Sequence, residues 1–108
     1  MTRTFATNIV GPQLLTKLLW PRLQKSQDAR MIIVSSGGMY HVKLAPSELE
    51  HPLDPFDGVR AYAQSKRAQV VLSELWAKKG RPSGITVHCM HPGWADTPGV
   101  QTSIPKFW

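Results

Sequence analysis

"MIIVSS", residues 31–36, strings Met31, Ile32, Ile33 and Val34 together with no alternation of apolar and polar positions. A strand with one wet face alternates. A continuous, largely β-branched run is what a strand covered on both faces requires, as in a parallel sheet flanked by helices. A second run of this kind, "GITVHCM", occupies 84–90. Between the two, Ala68, Val71, Leu72, Leu75 and Trp76 share one face of a helix predicted from about Arg60 to Lys79, and Gly80 is placed to end it. Upstream, Ile9, Val10, Leu14, Leu15, Leu18, Leu19 and Leu23 recur at three- and four-residue spacing, predicting a helix with one buried stripe. Gly11-Pro12 and Pro21 interrupt that pattern, so the helix is expected either to kink or to start near Pro12. Helix, strand, helix, strand is an α/β order, a βαβ unit preceded by one more helix, with parallel strands and a right-handed crossover.

The connecting segments differ in length. "KSQDAR" at 25–30 is a short polar connector. Residues 37–59 hold Gly37-Gly38, three prolines and many polar positions, predicting a long loop with a helical turn at "PSELE". Loops of that length are usually functional. "HPGWADTPG" at 91–99 is a turn-rich exit from the second strand.

Composition excludes several classes. At 108 residues the chain is at most one domain, and 42% hydrophobic with 19% charged residues describes a globular sequence. The net charge is +6, but the thirteen Lys and Arg are scattered from Arg3 to Lys106, with "KKGR" at 78–81 the densest run. A nucleic-acid binder concentrates its charge on one element, so no nucleic-acid partner is expected. Cys89 is the only cysteine and permits no internal disulfide, which points to a reducing, intracellular and cytoplasmic setting. No apolar run reaches the roughly 20 residues of a membrane-spanning helix.

Several side chains have the chemistry of a site. Tyr62 and Lys66 stand four apart on the second helix and so on one face. A phenol with pKa about 10 is a poor proton donor or acceptor at neutral pH, and an adjacent ammonium favours its phenolate. Alone, the pair also reads as a partly exposed Tyr and a solvated Lys. Ser35 and Ser36 end the first strand, where α/β sheets bind ligands, and they serve equally as a strand-end turn. The same two readings apply to His91-Pro92-Gly93 after the second strand, and Asn8 reads as a site residue or a solvent-facing amide. His88, Cys89 and His91 have metal-ligand types, but positions 88 and 91 of a strand face opposite ways, and companion ligands are missing. No metal site is expected. Trp76 is assigned to helix packing, and Trp94 and Trp108 either line a pocket or cover the sheet.

Taken in order, "NIVG" at 8–11, "IIVSSGG" at 32–38, "YAQSK" at 62–66 and "HPGWADT" at 91–97 resemble the short-chain dehydrogenase/reductase family. They match its Asn, Ser, Tyr, Lys tetrad and its PGxxxT motif. The resemblance runs from Phe5 to Trp108, and "FDGVRAYAQSKRAQVVLSELWA" is most similar to the retinol-dehydrogenase-like branch. It implies a Rossmann-like, doubly wound parallel sheet and an NAD(P)-dependent oxidoreductase interconverting a carbonyl and an alcohol, with NAD or NADP as cofactor. By the same resemblance Tyr62 is the general acid or base. Lys66 lowers the pKa of Tyr62 and binds the nicotinamide ribose, and Ser36 rather than Ser35 polarises the substrate oxygen. Asn8 holds a relay water, and Pro92, Gly93 and Thr97 line the nicotinamide side. The substrate would be a small carbonyl or alcohol, lipophilic in this branch. The two helices, which often form the family's subunit interface, imply homo- or hetero-oligomers.

The family pattern also has parts this sequence lacks. Members open with a strand, a TGxxxGxG loop and a phosphate-binding helix, and carry an NNAG motif; none occurs here. Residues 1–108 are therefore expected to form the C-terminal half of such a domain, without the N-terminal cofactor-binding half, and to be inactive alone. The alternative expectation is a non-catalytic truncated isoform that pairs with full-length relatives. Two strands make a marginal sheet, and two helices can cover only one of its faces.

Overall fold

The computed structural model describes residues 1–103, and the expectation for Trp108 lies outside them. Helix α1 runs from residue 3 to 25 in three consecutive pieces, α-helical Arg3–Phe5, π-helical Ala6–Val10 and α-helical Gly11–Lys25. Strand β1 (Arg30–Val34) leads into a 3₁₀ turn at Gly37–His41, then α2 (Pro46–Glu50) and the long α3 (Gly58–Gly80). A 3₁₀ turn at Arg81–Ser83 precedes β2 (Thr86–Met90), and α4 (Pro98–Ser103) follows. The two strands pair in parallel, Arg30 opposite Thr86 through Val34 opposite Met90, with α3 in the crossover. This is the expected α/β order. α4 is an addition that the turn-rich exit did not announce.

Helix α1 does not start at Pro12; it begins at Arg3 and runs on through a π-helical segment. Pro12 and Pro21 both lie within it, and the backbone accommodates the first by widening one turn, so that the Gly11 amide donates to the Ala6 carbonyl five residues back. A Cβ on Gly11 would meet that carbonyl oxygen at 3.4 Å, an ordinary van der Waals contact, so the widened turn does not depend on glycine.

One face of the sheet is packed and the other is bare. Trp20 and Leu23 of α1, Trp76 and Ala77 of α3, Ala29, Ile85, and the inward residues Met31, Ile33 and Val87 form a single cluster. The rings of Trp20 and Trp76 meet at 4.8 Å between centroids, and the Lys79 ammonium lies over both at 5.9 and 5.1 Å. Such a ring pair contributes about 0.5–1.5 kcal/mol beyond its buried area. On the opposite face Ile32, Val34 and Met90 stand exposed. The unbroken apolar runs predicted cover on both faces. Both long helices join one core cluster and leave the second face uncovered among the described residues.

The predicted buried stripe of α1 is also corrected. Val10, Leu14, Leu15, Leu18 and Leu19 are exposed, and Ile9 and Trp20 are the buried positions. On α3 the buried residues are small or polar (Ala63, Gln64, Ser65, Ala68, Gln69, Ser73), while Val71 and Leu75 face out. The helices approach through small side chains and hydrogen bonds, and that leaves the larger apolar residues outside.

The end of α3 uses two glycines differently. Gly80 is helical, and a Cβ on it would lie 2.8 Å from the Ile85 carbonyl oxygen and 3.2 Å from the Trp20 ring. Gly84 is the left-handed residue (φ 71°) that turns the chain into β2. At its other end α3 is capped by Asp57, whose carboxylate accepts from the Arg60 amide at 3.1 Å.

Candidate active site

Tyr62 and Lys66 lie one turn apart on α3, as four-residue spacing dictates, with the Lys66 ammonium 5.6 Å from the Tyr62 ring centroid. Lys66 also donates to the Val34 carbonyl at 3.2 Å, which fixes it at the C-terminal end of β1. Burial pushes its pKa below the ordinary lysine value, and the Cys89 thiol works in the other direction. The Tyr62 side chain is 39% exposed, and its hydroxyl has no hydrogen-bond partner among the described residues.

The two serines separate cleanly. Ser35 is buried and donates to the Lys66 carbonyl at 2.8 Å, while its amide donates to the Met90 carbonyl. It joins β1 to α3 and β2. Ser36 accepts from the Gly38 amide at 3.3 Å and caps the 3₁₀ turn, so its hydroxyl proton is uncommitted. Among the described residues no hydrogen bond links Ser36 to Tyr62 or Lys66.

Asn8 is tied to the same turn of α3. Its side-chain amide donates to Ser65 Oγ at 3.0 Å, and Ser65 donates to the Tyr62 carbonyl at 2.7 Å. Its backbone carbonyl accepts from Gln69 Nε2 at 2.7 Å. Asn8 is thus tied through Ser65 to the Tyr62 backbone, while Lys66 meets the Tyr62 ring from its own anchor on β1.

The segment after β2 is looser. Pro92, Gly93 and Thr97 are exposed; Gly93 has φ 79°, and Thr97 caps α4 by accepting from the Val100 amide. Tyr40 meets His91 edge-on at 6.1 Å, so the turn after β1 touches the turn after β2. Ligands of α/β sheets bind beyond the strands' carboxyl ends. Trp94 is largely exposed. The depressions lined by Glu48, Pro52 and Ala61 lie between α2 and another face of α3, away from Tyr62 and Lys66.

Sequence reading missed the residues inside and just after the YxxxK motif. Gln64, 1% exposed, accepts from the Ala45 amide at 2.9 Å and donates to the Lys43 carbonyl at 2.8 Å, clamping the loop before α2. Ser65 and Gln69 hold α1. The available signal was Ser65, Gln69 and Ser73 at four-residue spacing, an uncharged polar stripe that a solvent-facing helix does not need.

These side chains can hold one end of a dinucleotide. Lys66 is a half-buried cation suited to ribose hydroxyls, and the Tyr62 hydroxyl is accessible. The phosphate end does not fit: the N-terminus of α3 already carries the Asp57 carboxylate, and no glycine-rich strand–turn–helix occurs among the described residues. No group of His, Cys, Asp or Glu among the described residues is placed to hold a metal ion, and no described helix is long and apolar enough to cross a membrane.

No family model matches the chain, and neither does any solved structure. Dehydrogenase/reductase SDR family member 12 of Homo sapiens is 50% identical over 107 residues, 99% of this chain and 33% of the relative. Dehydrogenase/reductase SDR family member 13 of Bos taurus is 39% identical over 80% of this chain and 23% of its own length. Retinol dehydrogenase 13 of Mus musculus is 34% identical over 86% of this chain and 28% of its own. The chain therefore spans 33% or less of the length of these relatives. With that identity along nearly all of its residues, the chain belongs to the short-chain dehydrogenase/reductase family.

Proposed function

We propose that this segment is the acid–base half of an NAD(P)-dependent oxidoreductase that interconverts a small carbonyl compound and its alcohol. The observation that carries the reading is the Lys66 ammonium held between the Tyr62 ring and the end of β1. In reduction, Tyr62 gives its phenolic proton to the carbonyl oxygen. A nicotinamide nucleotide, when held by Lys66 and Tyr62, would be the source of the hydride that the carbonyl carbon needs to balance that proton. Lys66 stabilises the phenolate left on Tyr62, and a lowered lysine pKa makes it a readier donor for reprotonation. Ser36 offers its uncommitted proton to the substrate oxygen. Asn8, with its Oδ1 accepting no bond from the described residues, holds the relay water that resupplies Lys66. Pro92, Gly93 and Thr97 line the nicotinamide side, and Lys66 with Tyr62 binds the ribose. The name of Retinol dehydrogenase 13 supports a lipophilic substrate, and the single cysteine supports a reducing intracellular setting.

Tyr62→Phe tests the assignment in a chain that joins this segment to a phosphate-binding half. Turnover of an aldehyde with NADH or NADPH is expected to fall about 100-fold or more, with the circular dichroism unchanged. Equal turnover in both proteins removes Tyr62 from the mechanism.

Exposed apolar residues favour a second reading, an interaction product that pairs with longer relatives or with itself. Leu14, Leu15, Leu18 and Leu19 line α1, and Ile32, Val34 and Met90 line the bare sheet face. Co-purification with a full-length relative supports this reading. A strictly monomeric chain that captures none rejects it.

A further inference from the structure

We propose that Gln69 is a positioning residue: its side-chain amide replaces the backbone donor that Pro12 lacks, and so holds the π-helical turn that presents Asn8 to α3. The inference rests on the functional reading above only in counting Asn8 as part of an acid–base centre. In an unbroken α-helix the Asn8 carbonyl would take the N–H of residue 12, which is proline and has none. A carbonyl shut away from water without a donor is costly. Gln69 Nε2 donates to that oxygen at 2.7 Å from across the helix interface.

The rest of the Gln69 side chain shows what the position is used for. Gln69 is 6% exposed, and its Oε1 is buried with no hydrogen-bond partner among the described residues. The amide is therefore buried for one donated bond, where an apolar side chain of similar volume would fill the space without an orphaned acceptor. From that bond the contacts run on in sequence. Asn8 Nδ2 donates to Ser65 Oγ, and Ser65 donates to the Tyr62 carbonyl. Gly11 closes the same turn by donating to the Ala6 carbonyl. Removing the Gln69 donor releases the turn at the point where Asn8 is attached.

Gln69→Met keeps the volume and removes the donor. In ¹⁵N–¹H spectra of the chain, the Asn8 side-chain pair is expected to move to the position of a solvent-exposed amide. The Gly11 backbone amide is expected to exchange about tenfold faster, the loss of protection that one missing hydrogen bond produces. Adding Pro12→Ala returns a backbone donor to Asn8 and is expected to restore Gly11 protection in the Gln69→Met protein, with a smaller effect when Gln69 is intact. Unchanged Asn8 and Gly11 signals in Gln69→Met overturn the proposal, as does a Pro12→Ala effect of equal size in both backgrounds. If Gln69→Met fails to fold, the double variant decides: recovery of the native spectrum supports the proposal, and a double variant equally unfolded overturns it. These readouts concern the turn itself, so they stand or fall separately from the Tyr62→Phe result.

Discussion

Lys66 is where opposing effects on one charge meet. The Tyr62 ring and the Val34 carbonyl favour the cation, while burial disfavours it and prevails, lowering its pKa. With the folded pKa below the unfolded one, the unfolded chain binds more protons between the two values, so stability rises with pH across that window. The window closes near the ordinary lysine value of about 10.4. Urea unfolding followed from neutral pH upward is expected to show this rise, and Lys66→Met is expected to flatten it. Two glycines make a second residue-scale contrast. Gly80→Ala would force a Cβ to within 2.8 Å of the Ile85 oxygen, and is expected to cost about 1–3 kcal/mol in thermal or urea unfolding. Gly84→Ala meets no atom within 4 Å and strains only the positive φ, so its cost is expected to be smaller, about 1 kcal/mol. The sequence pointed to Gly80 as the helix stop, but close approach and chain reversal fall on different glycines. Only the contact with Ile85 and Trp20 reveals it.

Elements meet here through polar side chains as much as through apolar ones. Arg60 on α3 grips Glu48 on α2 with two bonds, Nε to Oε2 at 2.8 Å and Nη2 to Oε1 at 2.7 Å. Those bonds hold the Glu48 carboxyl below the ordinary carboxylate range. A depressed carboxylate contributes stability above its unfolded pKa of about 4.3 and loses that contribution as pH falls through the folded value. Acidification below about pH 4 is therefore expected to loosen α2 from α3, read as faster amide exchange in α2 at unchanged exchange in β1. Arg60→Lys, which cannot make the two-pronged contact, is expected to show the same loosening already at neutral pH. The existence of α3 and the turn at "PSELE" was legible from spacing and capping, because those signals are local. The exposed leucines of α1 were not, since periodicity marks an apolar face without saying what covers it.

At the scale of the whole molecule, the Tyr62–Lys66 pair stands without a glycine-rich seat for phosphate among the described residues. NADH or NADPH titrated into the 108-residue chain is expected to show no saturation at micromolar concentration, because the N-terminus of α3 is closed by the Asp57 carboxylate. Tight binding would show that another anion site exists. The bare sheet face and the leucines of α1 leave large apolar side chains exposed, the feature on which the proposed association rests. The sequence by itself determined the α/β class, the order of elements and the family, because β-branched runs, helical spacing and the Asn, Ser, Tyr, Lys order are written along the chain. Only the tertiary structure decided that Ser35 is a strut while Ser36 keeps a free proton, and that Gln64, Ser65 and Gln69 hold the framework around Tyr62 and Lys66. The physical reason is that a polar side chain's role depends on which donor or acceptor stands within 3.5 Å of it. That is settled by residues dozens of positions away, as when Gln69 answers the donor missing at Pro12.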